Sequence, residues 1–470
     1  MRWNKKFIYL CILFLILTVP RLFFLTTNQA AWWDESENLL KVKHFLEGTP
    51  DIGRWDARAP LFPLLLTIFT PFNYNETLIY EGFALISILT VIIFFLLFCK
   101  LFDEETAFFA SLIFGFEWSY FFYSFRILET IPAVALMGLA FYLFHCGIKE
   151  SSKLKMCLTG IAIGLLFFLR YPEAVITALI IFLYVLADRN LRAKSKSYLW
   201  IPFSILTVIP FLIYDWITFG NPLWRELAYI STNVGVKDVG IFTGSPFYYV
   251  LNSINFLTIT LVAFFILGLI YMIMGKNKNE RFVLIAFFAI FAMFSLITSI
   301  KSDRYIIGLY PFVSLIGVLG IKWIASLFSQ KNIAFLWTLI AVLVIVYLHL
   351  SSGISAINSK SDSYIQIKEA GIWIKENSNK EDVVFSSSVP QNVHYSERAT
   401  YSFPDNESGF NGQILKFKPK YMVLSLFEQS PEWIYKWPEE NKLSVYPVKV
   451  IFLDKEQKQP AVIIYQFIYA

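Results

Sequence analysis

The chain has 470 residues, of which 57% are hydrophobic, 18% aromatic and 16% charged, with a formal net charge of +5. Soluble domains are less apolar and about one quarter charged, so a disordered chain, a coiled coil and a typical cytosolic enzyme are excluded, and a lipid-embedded protein is expected. The charge is small and scattered, which argues against nucleic acid as a partner.

A helix that crosses a bilayer needs about 20 apolar residues, and about eleven runs approach that length. They lie near 7–25, 78–100, 105–122, 128–148, 156–170, 172–187, 198–218, 249–274, 282–300, 304–327 and 332–350. The first follows Arg2, Lys5 and Lys6, as a signal peptide would. It runs through Pro20-Arg21 to Trp32-Trp33 without a small-residue cleavage site, so it is read as a span. The stretch Pro60 to Pro71 is apolar but too short to cross and is expected as an interfacial helix within the first outer loop, 26–77.

Basic residues mark one set of connectors: Lys100; Lys149, Lys153 and Lys155; Arg189 to Lys196; Lys276 to Arg281; Lys322 and Lys331. Placing these and the N-terminus in the cytoplasm gives a multi-pass cell-membrane protein with its C-terminal part outside. Merging the runs on either side of Arg170-Tyr171-Pro172 would put the basic 189–196 cluster on the wrong side. Residues 1–351 form the expected membrane part. The remainder, 352–470, has a soluble composition and reads as a small α/β domain. Tyr364, Ile367, Gly371 and Ile374 recur at helical spacing, and strands are expected at 383–385, 421–424, 448–453 and 462–467.

Chemistry-bearing residues collect on the outer side. The first loop opens Trp33-Asp34-Glu35-Ser36-Glu37, with two adjacent carboxylates suited to general-base or metal work. The structural alternative makes Asp34 an N-cap, with Glu37 completing a capping box and Gly48 ending the helix. Arg58-Ala59-Pro60-Leu61 places a cation before the interfacial helix, and Arg126 and Glu129, three apart, either pair or serve a site. Arg170-Tyr171-Pro172-Glu173 and Lys301-Ser302-Asp303-Arg304-Tyr305 put cations against the positive-inside trend. An anionic partner at the outer leaflet, such as a lipid phosphate, accounts for them. The four cysteines and four histidines show no metal-ligand spacing, no nucleotide-binding fingerprint is present, and Asn75-Glu76-Thr77 and Asn406-Glu407-Ser408 are sequons.

In Trp33-Asp34-Glu35, Arg58-Ala59-Pro60-Leu61, Glu129, Arg170-Tyr171-Pro172-Glu173 and Arg304-Tyr305 with Pro311, the chain resembles the polytopic GT-C glycosyltransferases. It is nearest there to the dolichyl-phosphate-mannose protein mannosyltransferase and lipid A aminoarabinose transferase group. The resemblance implies inverting transfer of a monosaccharide from a polyprenyl-phosphate donor to a glycan, lipid or protein acceptor at the extracytoplasmic face, with a divalent metal optional. It casts Asp34 as general base with Glu35 beside it, and Glu129 as the second acid. Arg58, Arg170 and Arg304 become phosphate ligands, assisted by Tyr171 and Tyr305. Members often carry Asp at the second acidic position, and His-Pro where this chain has Ala59-Pro60. A transporter or flippase of lipid-linked saccharides is the alternative, but it would place ionisable groups near mid-membrane, where these spans are almost uncharged.

Overall fold

A computed structural model describes residues 5–25, 30–51, 58–233, 244–275, 277–454, 456 and 458–469. Among them, eight helices are long and apolar enough to cross a membrane. These are α1 (Lys5–Phe24), α4 (Glu76–Leu101), α7 (Thr130–Lys149), α10 (Ser195–Phe219), α12 (Ser253–Met274), α13 (Lys278–Ile297), α14 (Asp303–Ala325) and α15 (Lys331–Ser359). Three other expected runs are shorter helices: α5 (Glu104–Phe116), α8 (Lys153–Phe167) and α9 (Tyr171–Ala187). With 13, 15 and 17 residues, they are shorter than the roughly 20 residues of an untilted span. Yet they run between the same two ends as their long neighbours: Asp103 ahead of α5 pairs with Lys322 late in α14, and Asp188 after α9 pairs with Lys278 at the start of α13.

Between α1 and α4 lie α2 (Trp33–Glu47) and the seven-residue α3 (Leu61–Thr67), inside the stretch expected at the interface. Short α6 (Trp118–Tyr123) follows α5, and α11 (Trp224–Asn233) follows α10. Polar residues start many of these helices by accepting an otherwise unpaired backbone N–H. Asn75 caps α4 through Leu78 N at 3.2 Å, and Asp103 caps α5 through Thr106 N at 2.9 Å. The sequon residue Asn75 therefore serves as a cap. So does Asn406, which accepts from Gly409 N at 2.8 Å. The chain breaks between α8 and α9 at Arg170, the N-cap of α9, whose backbone is extended (φ −157°, ψ 115°), and Pro172 sits in the first turn of α9, where its missing N–H costs nothing.

The expected cap of α2 is corrected. Its N-cap is Trp32, and Glu35 at the third helical position accepts from Trp32 N at 2.8 Å. The cap thus sits two residues earlier than Asp34, because the helix begins at Trp33, the second residue of the Trp pair. Gly48, in the left-handed region at φ 66°, ends the helix.

Small residues set how closely the long helices approach. A Cβ on Gly268 of α12 would stand 1.9 Å from the Ile316 carbonyl oxygen, and one on Gly320 of α14 would stand 2.1 Å from that of Phe264. Backbone meets backbone here, as membrane helices do when dispersion replaces the hydrophobic effect as the packing force.

After α15, which runs to Ser359 and so past 351, the chain forms a five-stranded sheet of order β2-β1-β3-β5-β4. The strands are β1 (Val384–Ser386), β2 (Thr400–Tyr401), β3 (Tyr421–Ser425), β4 (Val445–Phe452) and β5 (Pro460–Phe467). β1 runs parallel to β2 and β3, whereas β5 is antiparallel to β3 and β4. Two-residue β2 is too short to show in the sequence pattern. Period-two alternation sends Val384, Tyr421, Val423, Val462 and Ile464 to the face covered by Ile367, Ala370 and Ile374 of α16 (Ile365–Glu376). Phe385, Met422, Leu424 and Phe467 face Phe410 of α18 (Glu407–Phe417) and Ile434 and Trp437 of α19 (Glu432–Glu440).

The intervening α17 (Val389–Ser396) clamps this unit onto α2. Leu40 packs with Val389 and Val393, and Tyr395 Oη accepts from Ala31 N at 2.6 Å. Lys43 Nζ donates to the His394 carbonyl at 3.0 Å and pairs with Glu397 at 2.8 Å.

Gly320→Val forces side chain into backbone and is expected to cost about 1–3 kcal/mol. Gly412→Ala adds its Cβ in open space on a helix and is expected to be neutral or stabilising. Thermal unfolding of both variants in detergent checks the contrast.

Candidate functional site

At 100° per residue, the acids of α2 divide between two faces. Asp34, Glu37 and Asn38, at positions i, i+3 and i+4, line a cavity of about 360 Å³. Glu35 points the other way and is fully buried. The remaining walls come from Arg58 and Ala59 before α3, Glu129 and Thr130 opening α7, Arg170 and Tyr171 opening α9, Tyr229 on α11, and Arg304 and Tyr305 opening α14. The cavity therefore gathers Asp34, Arg58, Glu129, Arg170, Tyr171, Arg304 and Tyr305 from five segments. Of the candidate residues, Glu35 alone lies outside its lining.

Asp34 is the electrostatic centre. Its carboxylate accepts from Arg58 Nη2 at 2.7 Å through one oxygen and from Arg304 Nη1 at 2.6 Å through the other. Burial by itself would raise its pKa, but the two guanidinium groups overcome this and hold it well below the usual carboxylate range. Arg58 also meets Glu37 at 2.5 Å and Glu129 at 3.8 Å. Burial opposes its charge, yet these three acids push its pKa above the ordinary arginine value. Arg170 is held by Glu173 at 2.5 Å and Thr130 Oγ1 at 3.1 Å, with its guanidinium 5.5 Å from the Tyr305 ring centre.

Glu35 is placed to hold the helix. It pairs with buried Arg126 at 2.5 Å and accepts from Ile127 N at 2.7 Å. Arg126 stacks 3.7 Å from the centre of the Trp32 ring. Burial raises the Glu35 pKa, against the pull of Arg126 and the two backbone donors. Arg126 thus pairs with Glu35, not with Glu129 three residues on. That internal pair fails because Glu129 immediately precedes α7 and faces Arg58.

Four polar residues of the lining, Glu37, Asn38, Thr130 and Tyr229, are not among the candidates that the sequence marks. Glu37 had served only as a cap partner, although its spacing from Asp34 on one helix face pointed to the cavity. Tyr229 stood in an unremarkable amphipathic stretch. Arg225 supports the site from behind, bound to buried Asp215 at 2.9 Å and donating to the Arg58 carbonyl at 3.1 Å. Among the described residues, no group of three or more His, Cys, Asp or Glu side chains is placed to hold a metal ion.

A family profile described as the Alg9-like mannosyltransferase family matches residues 62–404, well over half of the chain. No curated protein matches. Among solved structures, the chain is similar to ArnT from Cupriavidus metallidurans bound to undecaprenyl phosphate, with 13% identity, a TM-score of 0.73 and 97% of each chain covered. It is similar also to the oligosaccharyltransferase AglB from Archaeoglobus fulgidus in complex with an inhibitory peptide and a dolichol-phosphate. There the identity is 13% and the TM-score 0.61, covering all of this chain and 75% of that one. The mycobacterial arabinofuranosyltransferase AftD is a third, at 11% identity and a TM-score of 0.62, with 40% of that longer chain covered. At these identities the three structures establish the shared fold.

Removing one partner of the buried Glu35 pair strands a charge, so Arg126→Leu is expected to cost about 3–5 kcal/mol, and the double variant Arg126→Leu/Glu35→Leu appreciably less. Unfolding of the two variants in detergent measures the difference. The Asp34 pairing carries a pH signature. A folded-state pKa held below its unfolded value stabilises above the unfolded value, and the gain fades as pH falls toward the folded one. Asp34→Asn should therefore lower the melting temperature by a constant amount between about pH 5 and 8, and by less only below about pH 4.

Proposed function

The chain belongs to the Alg9-like mannosyltransferase family and is a multi-pass membrane glycosyltransferase. From that premise we propose that it moves one sugar from a polyprenyl-phosphate donor to an acceptor hydroxyl at the extracytoplasmic face, with inversion and with Asp34 as general base. The observation that carries this reading is the Asp34 carboxylate held between Arg58 and Arg304 in a cavity that also contains Arg170.

The chemistry follows from the charges. The acceptor oxygen attacks the anomeric carbon from the face opposite the phosphate, its proton passes to the Asp34 carboxylate, and the bond from carbon to phosphate oxygen breaks. The departing lipid phosphate gains negative charge, which arginines are suited to meet with paired hydrogen bonds. Arg58 and Arg304 can serve both ends of this step. While they bind Asp34, they suppress its basicity. When a phosphate draws them away, the carboxylate recovers its affinity for a proton beside the acceptor hydroxyl. Glu37 and Glu129 keep Arg58 at the cavity mouth during the exchange.

The membrane arrangement supports the same side. Lys100, Lys278 and Lys322 gather at the opposite ends of the helices, pairing there with Glu150, Asp188 and Asp103. With that end in the cytoplasm, the N-terminus is cytoplasmic, and the cavity and the sheet unit lie outside. Residues 352–470 then act as an extracytoplasmic α/β domain over the site. The acceptor is a glycan, lipid or protein.

In membranes supplied with a labelled polyprenyl-phosphate sugar, Asp34→Asn is expected to reduce transfer by about 10²–10⁴-fold. Undiminished transfer by a folded Asp34→Asn protein would remove Asp34 as the base.

A further inference from the structure

Lys301, one of the cations that the sequence sets on the outer side, lies between α13 and α14 in the chain and is buried. Its ammonium is turned to main chain. It donates to the carbonyl oxygens of Phe294 and Ser295, each at 2.8 Å, and of Thr298 at 2.6 Å. An ammonium has three donors, and all three are spent here, so none is left for an anion. The carbonyls come from the end of α13, which is π-helical over Met293–Ile297 and closes with Thr298 N donating to the Met293 carbonyl at 3.3 Å. A helix end leaves its last carbonyls unmet. A lysine folded back onto them fills those positions and suits the negative end of the helix dipole. Gly244 covers the lysine stem, for a Cβ there would stand 2.5 Å from Lys301 Cγ.

The turn reaches the cavity through one ring. It carries Phe294, which stacks on Tyr305 with ring planes 6° apart and centres 6.4 Å apart. Tyr305 in turn touches two of the cavity's arginines. Its ring centre is 5.5 Å from the Arg170 guanidinium and 5.2 Å from that of Arg304, whose Nη2 donates to the Tyr305 hydroxyl at 3.4 Å. The chain between Lys301 and Arg304 is pinned as well. The Tyr249 hydroxyl accepts from Ser302 N at 3.2 Å and donates to the Ser302 carbonyl at 3.0 Å. Asp303 accepts from the Tyr123 hydroxyl at 3.1 Å and from Arg304 N at 3.0 Å. A π turn has poorer hydrogen-bond geometry than an α turn and recurs at functional sites, where it re-aims a side chain.

We infer that Lys301 is a positioning residue for donor binding: it closes the π-helical turn that seats Phe294 on Tyr305, and so fixes Arg170 and Arg304 where they receive the phosphate. This rests on the lipid-phosphate reading of the cavity given above. The lysine acts through the turn and the ring and does not touch the donor.

The test is binding to the full chain in lipid nanodiscs, read by native mass spectrometry without any sugar donor. It compares undecaprenyl phosphate with undecaprenol, which has the same chain and no phosphate. Wild type is expected to bind the phosphate more tightly. Lys301→Met and, separately, Phe294→Leu, each with its melting temperature measured, are expected to weaken phosphate binding about tenfold, the scale of a small misplacement of binding groups, and to leave undecaprenol binding unchanged. In the double variant the two losses are expected not to add, because both act through one contact. A merely structural role would weaken both lipids alike. Where Lys301→Met fails to fold, Phe294→Leu decides the question. Full phosphate binding by either folded variant, equal losses for both lipids, or a wild type that binds the two lipids equally overturns the inference. A wild type that binds the phosphate but transfers no sugar counts against the proposed reaction and leaves this result standing.

Discussion

The buried pair between Glu35 and Arg126 is the contact on which the site depends. It joins the first turn of α2 to the loop ahead of α7, with Trp32 stacked on the guanidinium and the Trp32 and Ile127 N–H groups filling the remaining acceptor positions. The buried Glu35 carboxylate is tolerated because the Arg126 guanidinium and two backbone N–H groups meet it, and that requirement fixes the rotation of α2. With Glu35 locked inward, helical geometry turns Asp34, Glu37 and Asn38 to the cavity. Two adjacent acids thus acquire opposite duties from a rotation of about 100°.

The cavity itself is a balance of charges contributed by helix starts and loops. Arg58 and Arg304 neutralise Asp34, Glu173 neutralises Arg170, and Glu37 and Glu129 share Arg58. None of these side chains could be held near a bilayer alone, because an unpaired ion there is expensive. Together they form a network that an incoming phosphate can enter by exchange, replacing a carboxylate as the partner of an arginine. The rigid bundle, with α12 and α14 in backbone contact at Gly268 and Gly320, keeps the contributing segments in register.

The sheet unit is tied to the same helix. Tyr395 accepts from Ala31 immediately ahead of α2, Lys43 bridges the His394 carbonyl and Glu397, and His394 Nε2 lies 3.2 Å from Glu76. Burial lowers the His394 pKa, so this interface does not depend on a charged imidazole near neutral pH. One helix is therefore held on one side by the bundle and on the other by the sheet unit, which couples the position of Asp34 to both.

Composition and periodicity alone establish a membrane protein with apolar helices and a mixed C-terminal unit, because a lipid-facing helix must be apolar along its whole length and strands must alternate. The Asp34-Glu35 pair and the arginines Arg58, Arg170 and Arg304 stand out in the sequence for a related reason. Charge is scarce in such a chain, so isolated charges at span ends draw attention. Partner identity was not legible. Whether Arg126 meets Glu129 or Glu35, which acid of α2 faces the cavity, and that Glu37 and Tyr229 belong to it are decided by contacts between segments tens to hundreds of residues apart. The cap of α2 also shifted to Trp32, since the Glu35 side chain found the Trp32 N–H. Local pattern determines which residues must be buried or charged; only the packed tertiary structure decides which charge neutralises which, because that depends on distance and burial in three dimensions.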